Sequence, residues 1–153
     1  MTMENLISKK RKQRQDGFTL IEILIAVVIL TVGLLAVGTM QISAIKGNFM
    51  SGNTSIALTL ASEKMEDLFN RDFNDPDNSD SNTSNNASLT SITNVDHQEN
   101  LNADGSVSAG GLYRRIWNIA DMASPWPSMK EITVIVTWEN NRHRVFVSSM
   151  KRQ

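Results

Sequence analysis

The sequence predicts an α+β chain in which one long N-terminal helix, membrane-spanning in its first half, packs on a small antiparallel sheet. Three observations predict it. From Ile23 to Ile45 no charged residue occurs for 23 positions, more than the ~20 that an α-helix needs to cross a hydrocarbon core. The run then passes into apolar residues every three or four positions, with no proline between residues 18 and 70. After residue 111 the pattern becomes an alternation of polar residues with β-branched and aromatic ones, the mark of half-buried strands.

Residues 1–17 form a basic leader, with Lys9, Lys10, Arg11, Lys12 and Arg14 directly before the apolar run. The positive-inside rule keeps this end cytoplasmic and exports the residues beyond the run. After position 17, ten basic residues stand against fourteen acidic ones, a net charge of −4. A mildly acidic body has no general affinity for nucleic acid backbones, so a nucleic acid partner is not expected. The chain has no cysteine, and therefore neither a disulfide nor a thiolate metal site.

Residues 18–40 are the transmembrane half of the helix. Hydropathy alone admits a plain anchor, or a signal peptide cut near Ala36-x-Gly38. Neither accounts for Glu22 at the start of the run, because a carboxylate deep in lipid costs ~2.5–3.5 kcal/mol. Such a group calls for a partner.

The junction reads Lys12-Gln-Arg-Gln-Asp-Gly17-Phe18-Thr19-Leu20-Ile21-Glu22. It resembles the processing site of type IV prepilins and pseudopilins. The resemblance implies that a membrane-embedded aspartyl prepilin peptidase cuts between Gly17 and Phe18 and methylates the new amino terminus at Phe18, while the apolar helix is kept. A glycine suits that bond, since without a side chain its backbone approaches a protease closely and reaches φ values closed to other residues.

The new cation at Phe18 and the Glu22 carboxylate are one helical turn apart. The resemblance implies that this glutamate pairs between subunits, an assembly role that would offset the burial of charge and set the axial register of packing. It also implies a pilin-like fold and three sets of partners: other pilin or pseudopilin subunits through the apolar helix, the prepilin peptidase, and an inner-membrane assembly platform. The implied location is a single pass through the inner membrane with a periplasmic head, later assembled into an extracellular pilus.

Residues 41–70 read as the amphipathic periplasmic half of the helix. Ile42, Ile45, Phe49, Gly52 and Ile56, then Leu60, Ala61, Met65, Leu68 and Phe69, form an apolar stripe, expected as core against the sheet. Glu63, Lys64, Glu66 and Asp67 are its solvated face. A continuous helix over these segments extends ~80 Å. Gly33, Gly38, Gly47 and Gly52 each weaken it by ~1 kcal/mol relative to alanine. Some major pilins carry a proline where this chain has Thr39, so any unwinding here rests on Gly33 and Gly38.

Residues 71–111 read as a long polar loop rich in Asn, Ser, Asp and Thr, punctuated by Pro76 and Gly110-Gly111. Asp72, Asp75, Asp77 and Asp80 lack the central glycine and terminal glutamate of a calcium hand. No metal and no cofactor are expected.

Residues 112–153 are the antiparallel head. Tyr113, Arg115, Trp117 and Ile119 share one face of a strand, and Leu112, Arg114 and Ile116 the other. A break at Ser124-Pro-Trp-Pro127 follows. Ile132, Val134, Val136 and Trp138 form one face of the next strand, joined through Asn140-Asn141 to a third carrying Val145 and Val147. A turn there sets Val136 opposite Val145, Val134 opposite Val147 and Glu139 opposite Arg142. The segments YRRIWNI and ITVIVTWENNRHRVFVSS resemble the C-terminal half of the PilV group of minor pilins, also called type IV pilus modification proteins.

His97 and His143 have no nucleophile or phosphate-binding loop nearby in sequence and read as surface residues, so catalysis is not expected. The function implied is that of a minor pilin in type IV pilus assembly, initiation or modification. An I-type minor pseudopilin of a type II secretion system shares the same features. A filament-tip adhesin or DNA-binding pilin, using Arg142, His143, Arg144, Lys151 and Arg152, is the remaining alternative.

Overall fold

The computed structural model describes residues 17–123, 125–126 and 128–153. Helix α1 runs Leu20–Asn70, and four strands come after it: β1 (His97–Leu101), β2 (Tyr113–Asp121), β3 (Met129–Trp138) and β4 (His143–Arg152). They form one antiparallel sheet in the order β1-β2-β3-β4. The basic leader lies outside the described residues, as do Ser124 and Pro127 of the break.

The chain divides into two compact units between Ile45 and Lys46. In the first unit, Leu20 to Ile45 is helical without interruption through Gly33 and Gly38. All of its large apolar side chains are exposed.

In the second unit, α1 buries Ala57, Leu60, Ala61, Lys64, Met65 and Leu68, one face at helical spacing. Against it lie Tyr113, Trp117, Ile119, Ile132, Val134, Val136 and Trp138 from β2 and β3. Burying each of these large side chains contributes about 1.5–3 kcal/mol, and this holds the helix to the sheet.

The predicted apolar stripe reaches the core only in part. Met65 is in it, whereas Phe49 is 63% exposed, and Ile42 and Ile45 are exposed as well. For Phe49, in the second unit, the reason is the reach of the sheet. Its end row, Tyr113 and Trp138, meets the helix near Asn53, whose Oδ1 accepts from the Tyr113 hydroxyl at 3.1 Å. Met50 packs at the margin of the core, and the turn before it has no sheet to cover.

Lys64, placed by pattern on the solvated face, is buried instead. Its ammonium sits 4.1 Å from the Trp117 ring centroid and 3.2 Å from Asp67. Cation–π attraction and the ion pair together offset its desolvation.

The hairpin register agrees with the sequence expectation: Val134 pairs with Val147 and Val136 with Val145. Asn140 and Asn141 adopt φ of 57° and 64°, the left-handed pair of a type I′ turn. Glu139 precedes them at φ 51°.

The polar segment before residue 112 contains more structure than its composition suggests. Residues 97–101 pair with β2 as an edge strand. Two short 3-10 turns, Pro76–Asn78 and Thr83–Asn85, shape the chain ahead of that strand. This segment covers the side of β2 that faces away from α1: Asn118 Nδ2 donates to Leu89 O at 2.8 Å and to Ser91 O at 2.9 Å. Ile116, Asn118, Thr133 and Ile135 are accordingly buried.

One carboxylate organises the segment. Asp96 Oδ1 accepts from the backbone N–H of Ser81 at 2.9 Å and of Asn82 at 2.6 Å. Its Oδ2 accepts from Ile119 N at 2.7 Å and Asn85 Nδ2 at 3.1 Å. Asp96 thus ties the loop to the middle of β2 through charge-assisted bonds.

Candidate functional site

Gly17 and Phe18 immediately precede α1 and are exposed, Phe18 to 83%. Gly17 has an ordinary φ, and a Cβ built there would meet nothing within 4 Å. The folded chain itself therefore does not require glycine at this position. Any such requirement comes from a molecule that approaches the bond.

Thr19 is the cap of the helix. The Glu22 backbone N–H donates to Thr19 Oγ1 at 3.3 Å, while Glu22 Oε2 accepts from Thr19 N and Thr19 Oγ1, both at 3.0 Å. This is a capping box, in which Thr and Glu three residues apart satisfy each other's orphan donors at a helix start. Glu22 thus has a partner within its own chain, in addition to any partner on a neighbouring subunit. The signal is legible as Thr19-x-x-Glu22, and the charge of Glu22 at the edge of an apolar run obscures it. Among the described residues, Oε1 of Glu22 takes no hydrogen bond.

Downstream of this cap the helix offers an apolar surface on every side from Ile23 to Val37. A helix hydrophobic all round is suited to lipid or to other apolar helices. Thr31, Thr39 and Ser43 return their hydroxyls to carbonyls of the preceding turn, at 2.6, 2.8 and 3.1 Å. Their polar groups therefore do not oppose an apolar solvent.

The remaining candidate residues are engaged in the fold. His97 stacks on Trp117 with centroids 5.2 Å apart, and its Nε2 lies 3.1 Å from Ser79 O. His143 stacks on Trp138 and pairs with Glu139 at 3.3 Å. Both are half-buried rather than simple surface residues. Arg71 collects Asp67, Asp75 and Asp77 at 3.1 to 3.6 Å. Its hydrogen bond to Asp67 holds that carboxyl below the usual aspartate range. Among the described residues no three acidic or histidine side chains converge as metal ligands.

The basic group considered for DNA or surface contact is split by the fold. Lys151 points inward from β4, its Nζ donating to Leu68 O at 2.7 Å and to Arg71 O. It satisfies carbonyls at the C-terminal end of α1, where a cation is favoured. Burial pushes its ammonium pKa down. Arg142, Arg144 and Arg152 stay exposed.

No curated protein and no solved structure matches the chain. Residues 12–38 match the family model described as the prokaryotic N-terminal methylation motif. The Gly17-Phe18 junction, the Thr19–Glu22 capping box and the exposed apolar helix all fall within this match, which supports an N-terminus of the type IV pilin kind.

Proposed function

We propose that this chain is a minor pilin of the PilV kind, made as a membrane precursor and cleaved between Gly17 and Phe18. The new terminus at Phe18 is methylated, and the retained helix inserts the subunit among other pilin helices. The observation that carries this reading is a capped, apolar helix that begins three residues after a glycine nothing in the fold requires, inside the matched motif. The free Oε1 of Glu22 is the atom that would receive the amino terminus of a neighbouring subunit, while Oε2 stays on the cap.

N-terminal sequencing with mass analysis of membrane-extracted protein tests the cleavage. A start at Phe18 leaves 136 residues, and signal-peptide cleavage after Gly38 leaves 115. A bulky replacement of Gly17 should leave the precursor uncut, and normal processing of that variant refutes the peptidase reading. Glu22→Gln separates the two roles of Glu22, because glutamine also completes a capping box but carries no charge. A Glu22→Gln variant that is processed yet unassembled supports pairing with the amino terminus; normal assembly reduces Glu22 to a cap. Loss of pili rather than of secreted proteins in a deletion strain assigns the filament, and the opposite result assigns a type II secretion system.

A further inference from the structure

Among the described residues of the second unit, the three most exposed large apolar side chains are Leu112 at 77%, Val107 at 71% and Phe49 at 63%. They lie at one end of the second unit. Leu101, Tyr113, Trp138 and His143 form the end row of the sheet by register. Leu112 directly precedes that row, and Val107 bridges to Leu101. Phe49 is one helical turn before Asn53, the residue that Tyr113 grips. Leu112 also shares a surface cleft with Asn140 and Asn141 of the hairpin turn.

This is the end at which the second unit begins, at Lys46. Lys46 and Arg142 are exposed there. Glu139 of the hairpin lies 3.3 Å from His143 Nε2. Apolar side chains flanked by free cations are the composition of a surface that lies in a bilayer interface.

We propose that this end of the second unit rests on the outer face of the bilayer that the helix spans. Leu112, Val107 and Phe49 enter the headgroup–acyl boundary, and Lys46 and Arg142 meet lipid phosphates. The inference relies on the spanning reading of the apolar run. The occupant follows from connectivity: the helix leaves the charge-free run at Ile45 and enters this unit at Lys46, so the membrane is present at high effective concentration. The contact would hold the head of an unassembled subunit down and release when the subunit is drawn out of the bilayer.

The chain has no cysteine, so a single engineered thiol reports one position. Full-length Val107→Cys, Leu112→Cys, Phe146→Cys and Leu34→Cys variants are labelled with an environment-sensitive fluorophore in phosphatidylethanolamine–phosphatidylglycerol vesicles. Labels at 107 and 112 should be quenched by nitroxide lipids and shielded from aqueous iodide, while the label at 146 stays iodide-accessible. Lys46→Glu or Arg142→Glu should each lower the interfacial population roughly fivefold, the gain one basic residue makes near an anionic surface. Labels at 107 and 112 as accessible as that at 146, with 34 in lipid, overturn the inference alone. Shielding that disappears on diluting protein in lipid also overturns it, by revealing a contact between copies. A water-exposed label at 34 removes the spanning reading and this inference with it.

Discussion

Replacing Asp96 by asparagine should loosen the loop from the sheet by about 3–5 kcal/mol. Four N–H groups donate to this carboxylate, Ser81 N, Asn82 N, Ile119 N and Asn85 Nδ2, at 2.6 to 3.1 Å, and the Ser81 hydroxyl adds a longer bond at 3.4 Å. An amide turns one oxygen into an N–H₂ group, which confronts two of these donors with a third donor. Each donor left unpaired in a part-buried site costs about 1–3 kcal/mol, and the bonds that survive lose their charge assistance. The change is polar for polar and nearly isosteric, so packing contributes little. Urea unfolding of the detergent-solubilised full chain, followed by tryptophan fluorescence, reads the global effect; limited proteolysis between residues 74 and 95 reads local opening. Trp117 is a suitable reporter, since its Nε1–H donates to Asp77 O within the loop at 3.0 Å. A loss under about 1 kcal/mol together with unchanged proteolysis would refute Asp96 as the organising group.

Gly111→Ala should disrupt β1–β2 pairing, because a Cβ there falls far inside contact distance of the Leu101 backbone, whereas Gly110→Ala meets nothing within 4 Å. A loss of about 1–3 kcal/mol in the first variant and little in the second is the expected contrast in urea titrations. Lys151→Met should cost about 2 kcal/mol by leaving a last-turn carbonyl of α1 without its donor, and hydrogen exchange at the end of α1 should rise. Asp67 has a folded pKa held below its ordinary 3.8, first by Arg71. Its stabilisation is therefore complete above that value and is lost as pH falls through the folded value. With Asp67 44% exposed, the effect is a fraction of a kcal/mol. Asp67→Asn should flatten the acid limb of a stability–pH profile by that amount.

Features set by local chemistry were readable from the residues alone. An uncharged run of 23 residues specifies a helix for an apolar solvent irrespective of the chain beyond it. Alternation specified β2, β3 and β4, and Asn140-Asn141 specified the turn, because tolerance of positive φ is a property of the residue. The register of Val134 with Val147 then came from counting outward from that turn. The capping box of Thr19 and Glu22 is equally local, yet in the sequence Glu22 stood out only by its charge and the box was missed.

Long-range packing chose which parts of a continuous pattern found a partner. Phe49 and Met65 continue one stripe in sequence, yet the sheet ends near Asn53 and leaves the first exposed and the second buried. Lys64, Lys130 and Lys151 carry no mark of burial in the sequence, yet each is buried against carbonyls, carboxylates or aromatic rings contributed by other segments. The loop read as polar and unstructured because its apolar content is low. Its order comes from hydrogen bonds of Asp96 and Asn118 to residues 11 to 33 positions away, and such pairings leave no periodic trace in a sequence. Burial of a polar group depends on partners that only the folded chain brings within reach.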